Sequence, residues 1–269
     1  MRAHTQRSGV ISLGALALLC LAVTLPPLFV LLYALSERWD RSLWPEGATL
    51  AWFVDLARDP RVGAATARTL LIASASALLA TGLGTAATLA AHLYSRRMRA
   101  VLDGLAQLPY AIPPVVVAIS ALEVFVGGLG GWMGGWLDLR LLYVLLLTPL
   151  LFPLVYRTLS AALLRLDLPT LLEAGRTLGA GDALTTRRVV LPLLMPAIAA
   201  AGLVCLLTAS LEFAVANLLL GGENELLQPM MNSLRVTSGH RSAALVVASF
   251  AIVGLAAAIV QRLTLETHP

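Results

Sequence analysis

The chain is 269 residues long, 58% hydrophobic and only 13% charged, with a formal net charge of +4 and a mean hydropathy of +0.84. A soluble domain carries about a quarter charged residues, so this composition has too little polar surface to cover a globule and excludes a soluble enzyme. All 19 basic residues are arginine, which removes the lysine that a phosphate-binding P-loop and Schiff-base chemistry both require.

Six stretches are apolar and long enough to cross about 30 Å of hydrocarbon at about 1.5 Å per residue. They cover residues 9–35, 69–91, 105–126, 139–159, 193–220 and 243–260. The first is too long for a cleaved signal and is expected to be an uncleaved anchor, kinked at Pro26–Pro27. Cys20 and Cys205 lie inside apolar runs and read as small packing residues. The bulky Leu19 before Cys20, and the apolar run after it, argue against lipidation there. Loop 36–68 carries Trp39, Trp44 and Trp52, which read as interface anchors. The glycine-rich stretch 127–138 reads as a hairpin with two interface tryptophans, or as a close-packing ladder of Gly127, Gly131 and Gly135. Compact arginine clusters at 96–99 and 157–188 put those loops, and with them both termini, on the cytoplasmic side.

Between the fourth and fifth stretches lie the informative residues, 163–192. Asp167 or Leu168 can cap a helix opening at Pro169, and Thr170 with Glu173 offers a capping box instead. Leu171, Ala174 and Leu178 then share one helical face. Gly179-Ala180-Gly181 ends that helix, and Asp182 is expected to N-cap a second short one. Pro192 and Pro196 mark entry to the fifth span. Such a rigid helix-turn-helix with an apolar face suits docking of a partner protein; the alternative is an amphipathic segment resting on lipid.

Two carboxylates fall inside apolar stretches. A charge near the bilayer centre costs several kcal/mol unless it meets a partner or water, so each is a candidate functional group. Glu123 sits near an outer end, where solvation alone would explain it. Glu212 lies deeper, with Asn217 following. Pairing with an arginine such as Arg157, and contact with a solute, both remain open for Glu212. In the last outside loop, His240 between Arg235 and Arg241 reads as a solvated histidine. Neither metal-ligand spacing nor a catalytic motif occurs, so no catalytic or metal-binding residue is expected.

Glu173-Ala174-Gly175, three residues, Gly179, nine residues, then Val189-Val190-Leu191-Pro192 resembles the EAA loop of ABC importer permeases. That family's pattern is Glu-Ala-Ala, three residues, Gly, nine residues, Ile, any residue, Leu-Pro. Every spacing agrees; Gly175 replaces the second Ala and Val189 the Ile. Softer likeness extends over about 9–262: residues 66–94 look like the entry to the family's permease domain, and Leu108-Pro109-Tyr110-Ala111-Ile112-Pro113-Pro114 looks like the opening of its next span.

The resemblance implies an all-α integral membrane protein with six transmembrane helices, the type I ABC importer permease fold, and cytoplasmic termini, in the bacterial inner membrane. It implies an anchor helix and first periplasmic loop over 1–65, a permease domain over 66–262, and the coupling loop 163–192 within it. Glu173, Ala174, Gly175, Gly179, Val189, Leu191 and Pro192 become residues coupling to an ATPase; Glu123, Glu212 and Asn217 become candidates for the solute pathway or its gate. The implied partners are ATP-binding cassette ATPase subunits, a second permease subunit (a paralogue or another copy), a periplasmic or lipid-anchored solute-binding protein, and membrane lipid, with no nucleic acid. The chain itself holds no cofactor, ATP and Mg belonging to the ATPase. Segments 35–39 and 45–50 look most like permeases for 2-aminoethylphosphonate; polyamine, ferric iron and thiamine are the alternatives within that branch. The rival class is a stand-alone secondary transporter or channel, which calls for internal repeats that the sequence does not display.

Overall fold

The computed structural model describes residues 2–40, 42–125, 127 and 138–265. The first helices are α1 (Arg2–Leu35), α2 (Ala51–Arg58), α3 (Pro60–Tyr94), α4 (Arg96–Leu105), α5 (Leu108–Ala111) and α6 (Pro114–Phe125). After them come α7 (Leu139–Arg165), α8 (Leu168–Thr177), α9 (Asp182–Thr185), α10 (Leu191–Ser210), α11 (Ala214–Leu219), α12 (Leu227–Thr237) and α13 (Gly239–Leu265). A π-helical turn, Thr186–Val190, joins α9 to α10. Among the described residues there is no strand, only an antiparallel bridge from Arg38 to Glu46, and the expected all-α class holds. Most of the expected 127–138 hairpin, including Gly131 and Gly135, lies outside the described residues.

Among the described residues, four segments are long and apolar enough to cross a membrane: Ala15–Leu35, Pro60–Leu93, Leu139–Arg165 and Asp182–Ser210. The expected third span, 105–126, is not one helix. Arg96–Ala111 and Pro114–Phe125 meet at 91°, because Pro113 and Pro114 lack N–H donors and a residue before proline is driven out of the helical region. Ile112 accordingly sits at φ −107°, ψ 118°. The fifth stretch, expected unbroken over 193–220, also divides: α10 ends at Ser210 and α11 starts at Ala214.

The chain divides into two compact units, Met1–Val62 with Met231–Ile252, and Gly63–Met230 with Val253–Pro269. In the second unit, α7 packs along α10. Tyr143, Leu147, Leu151, Val155 and Leu159 of α7 are buried with Ala201 and Cys205 of α10 and with Ala73, Ala77 and Ala80 of α3. On α3 the inward face is mostly small, with Ala73, Ser76, Ala77 and Ala80 beside Ile72, whereas Leu71 and Leu78 are 70% and 74% exposed. That inversion suits a lipid solvent, where leucine gains little by turning inward and small residues let helices approach. A Cβ on Gly84 would stand 2.7 Å from Val155 Cγ1 and 3.0 Å from its Cβ, so a side chain there would force Val155 to move. Beyond α11, the Arg68 guanidinium donates to the Glu225 carbonyl from Nε at 3.2 Å and Nη2 at 2.9 Å, Arg140 Nε donates to Asn224 Oδ1 at 2.9 Å, and the Leu227 amide donates to the Thr69 hydroxyl.

The first unit holds α1, α2, most of α12 and the start of α13. Leu18 and Leu19 of α1 are exposed along its apolar length. His240 is not the solvated loop histidine expected. Its ring stacks on Tyr33 at 4.1 Å between centroids and on Trp52 at 5.4 Å, and Nδ1 donates to the Tyr33 carbonyl at 2.9 Å. Two aromatic faces supply a better environment than water for a flat imidazole. Trp52 is itself pinned by Nε1 donating to the Ser36 carbonyl, and Trp39 to the Ser42 carbonyl, while Trp44 is 81% exposed. Beside this clasp, Arg241 pairs with Asp59 at 3.1 Å and Arg61 with the same carboxylate at 3.2 Å. The hydrogen bonds and charge of Arg61, with a further hydrogen bond from Arg241, hold the Asp59 carboxyl below its ordinary range.

Candidate functional site

The 163–192 segment folds on its own local chemistry. Asp167 caps α8: Oδ1 accepts from the Thr170 amide at 3.4 Å and Oδ2 takes the Thr170 hydroxyl at 2.6 Å. The alternative capping box is not used, and Glu173 is exposed. At the far end Gly179 adopts φ +78°, the left-handed conformation glycine enters without strain. Its amide donates to the Arg176 carbonyl at 3.0 Å, and that of Ala180 to the Gly175 carbonyl at 2.9 Å. Those two bonds close the helix with a Schellman motif.

Asp182, expected as an N-cap, does something else. Gly181 precedes α9 with no side-chain cap, and Asp182 receives Arg176 Nε and Nη2 at 2.8 and 2.7 Å. A bidentate guanidinium–carboxylate pair is stronger and more directional than a single cap bond. The two short helices are thereby clamped together. They also touch at Gly175, where a Cβ would lie 2.9 and 3.0 Å from Thr185 Cγ2 and Cβ and run into Oγ1. Thr185 is 4% exposed. The glycine standing where the family pattern has alanine is therefore matched by a threonine ten positions on, a partner that sequence reasoning missed; the departure from the pattern was its signal.

At the root of the loop, Leu163, Leu168, Val190 and Leu194 form one buried cluster. Val190, not Val189, is the buried member of that pair; Val189 is 39% exposed. Leu191 is half-buried, and Ala174 and Pro192 are exposed. At the tip Leu178 is 86% exposed, a bare leucine held on a rigid turn.

The break between α10 and α11 is organised by Glu212. Oε1 accepts from the Val215 amide at 3.0 Å, and Oε2 from the Val215 and Ala216 amides, each at 3.1 Å. Tyr143 adds its hydroxyl to Oε2 at 3.2 Å. A carboxylate on the first amides of a helix meets both the orphan donors and the positive end of the helix dipole. Arg157, offered as its partner, is engaged elsewhere, donating to Gln107 Oε1 at 3.1 Å with its guanidinium 5.1 Å from the Tyr110 ring centroid. Phe213 and Asn217 flank the break with exposed side chains, and Glu123 is exposed on α6. Among the described residues no group of three metal-ligating side chains gathers.

Residues 81–264 match the family of binding-protein-dependent transport system inner membrane components. The spermidine/putrescine transport system permease protein PotC of Escherichia coli K12 is 30% identical over 185 residues, which cover 69% of this chain and 67% of that protein. In fold, the chain is similar to a bacterial ABC transporter involved in the import of the acidic polysaccharide alginate, with TM-score 0.77, 17% identity and 98% of each chain covered. It is also similar to a bacterial alginate ABC transporter in complex with an alginate pentasaccharide-bound periplasmic protein, with TM-score 0.69, 20% identity and 94% of each chain covered.

Proposed function

The chain belongs to the family of binding-protein-dependent transport system inner membrane components, as an ABC importer permease, and from that premise we propose that its 163–192 loop is the lever by which a separate ATPase drives it. The observation that carries this reading is the loop's construction. It is capped, closed and clamped internally, bears a bare apolar tip at Leu178, and runs through the buried Val190 into the membrane helix α10. A rigid element of that kind transmits a push, where a floppy one absorbs it.

In this mechanism, ATP binding closes the ATPase dimer, with Mg and nucleotide held there, and brings the loops of two paired permease subunits together. The tilt of α10 then opens the pathway outward to receive solute, and hydrolysis reverses it, which is alternating access driven by differential binding to two states. Glu173, Ala174, Gly175, Gly179, Val189, Leu191 and Pro192 act in coupling. Glu212 holds the break at which α10 hands over to α11, and Phe213, Asn217 and Glu123 are the exposed groups left for the pathway. Six crossings are retained, the third and fifth bent, with both termini cytoplasmic, an anchor over 1–65 and the permease domain over 66–262. A periplasmic solute-binding protein delivers the solute. Likeness to PotC favours a polyamine over the 2-aminoethylphosphonate suggested by segments 35–39 and 45–50.

Gly179→Asp tests the lever. It forces a Cβ into the left-handed region while leaving the spans untouched, so the variant is expected to insert normally, hydrolyse ATP in the complex, and lose at least about tenfold in whole-cell uptake of labelled spermidine. Uptake at the unmodified rate and equal expression overturns the coupling role. Competition by 2-aminoethylphosphonate but not putrescine would return the solute to the phosphonate class.

A further inference from the structure

The end of the second unit that carries the lever also holds a cavity of about 640 Å³, walled by the end of α3, the start of α4 and the junction of α7 with α8. Arg96, Arg99 and Arg165 all line it, and none of the three forms an ion pair among the described residues. Other described arginines, such as Arg38, Arg58, Arg97, Arg187 and Arg188, also lack an ion pair; what distinguishes these three is that they share one cavity. Arg61, Arg176 and Arg241 have carboxylates; Arg68, Arg140 and Arg157 have neutral acceptors at 3.2 Å or less. Arg99 Nε is buried with no partner, and its Nη2 reaches only the His92 carbonyl at 3.5 Å. The lining's one carboxylate, Asp167, is already committed to Thr170. Ser95 caps α4 at this wall by accepting from the Met98 amide, so the positive end of that helix dipole adds to the field. Like charges sharing a space repel, and guanidiniums match phosphate oxygens in geometry and charge.

Arg165 and Leu166 also line a second, apolar cavity of about 340 Å³, whose other walls are Thr158, Ala161, Ala162, Leu193 and Leu194. A cationic cavity sharing a wall with an apolar crevice matches the two-part chemistry of a phospholipid. We propose that this is a seat for an anionic phospholipid, with its phosphate on Arg96, Arg99 and Arg165 and an acyl chain in the crevice between α7 and α10. Basic cavities at the membrane ends of helices hold anionic headgroups in this way. A free phosphate or nucleotide shares the headgroup chemistry but leaves the crevice empty. Because Leu168 and Pro169 of α8 line the cationic part, the lipid would rest against the root of the lever. The seat does not depend on the lever's proposed role.

The test uses the delipidated full-length chain in detergent, titrated with dioleoyl phosphatidylglycerol and read by native mass spectrometry. One molecule is expected to bind, with dioleoyl phosphatidylcholine roughly tenfold weaker, and each Arg→Gln change at 96, 99 or 165 is expected to weaken the phosphatidylglycerol by roughly fivefold. Ala162→Trp fills the crevice and spares the arginines, so it should weaken dioleoyl but not dihexanoyl phosphatidylglycerol. Inorganic phosphate at millimolar concentration should not compete. Equal binding of the two headgroups, or full binding by a folded triple Arg→Gln variant, overturns the site. Displacement by inorganic phosphate with Ala162→Trp silent assigns it to a soluble anion and overturns the lipid. Should the triple variant fail to fold, the Ala162→Trp comparison decides alone.

Discussion

The lever and the clasp around His240 are held together by opposite means. Above its buried root, the lever is fastened between near neighbours: Asp167 to Thr170, Arg176 to Asp182, Ala180 to Gly175, and Gly175 against Thr185. In the clasp, His240 reaches back 207 positions to Tyr33 and Arg241 reaches 182 positions to Asp59. Closing a short loop costs less chain entropy than closing a long one, so these local fastenings depend little on distant parts of the chain. The clasp has form only while α1, α2 and the start of α13 stay docked. A moving part benefits from the first construction, and a fixed mounting from the second.

The contrast can be broken at several points. The largest effect is expected from Gly175→Ala, whose methyl has nowhere to go but into Thr185; overpacking of this kind typically costs about 1–3 kcal/mol. Uptake should fall about tenfold, and adding Thr185→Ala should restore most of it; failure of that second change to rescue would mean the two short helices are not set by this contact. His240→Ala removes two stacked faces worth about 0.5–1.5 kcal/mol each. Hydrogen exchange should quicken at the start of α13 and the end of α1 while residues 163–192 keep their protection, and parallel quickening in both would erase the distinction. The smallest effect is acid sensitivity. Because Arg61 and Arg241 depress the Asp59 carboxyl, its contribution is fully present above about pH 3.9, the ordinary value, and is lost as pH falls through the lower folded value. Arg61 is 75% exposed, so screening keeps the effect below about 1 kcal/mol. Protection at the start of α13 should decline through that window in the native chain and stay level in Asp59→Asn.

The same contrast explains what could be read in the sequence. Asp167, Gly179 and the motif spacing announce the lever because its bonds lie within a few residues, and long apolar runs announce the main spans. His240 was expected to be solvated because its two aromatic partners are distant in sequence. The division at Glu212 is hidden from hydropathy, which averages over windows and cannot register a side chain that replaces backbone partners inside an apolar run. Pro113–Pro114 stood in plain view, yet a window long enough to count as a span smoothed over a 91° bend. Arg96, Arg99 and Arg165 counted only toward sidedness; folding puts them around one cavity.

The π-helical turn at Thr186–Val190 has a bearing on how this protein can vary. Such a turn accommodates one residue more than an α-turn, and each residue in a helix swings its successors by about 100°. Losing or gaining a residue there would swivel all of α10 about its axis relative to the lever, turning Leu194, Ala201 and Cys205 off the α7 seam they fill. The identity of the residues in that joint is negotiable, as Val189 in place of isoleucine illustrates. Their number is not, and relatives should differ here by exchange and never by indel.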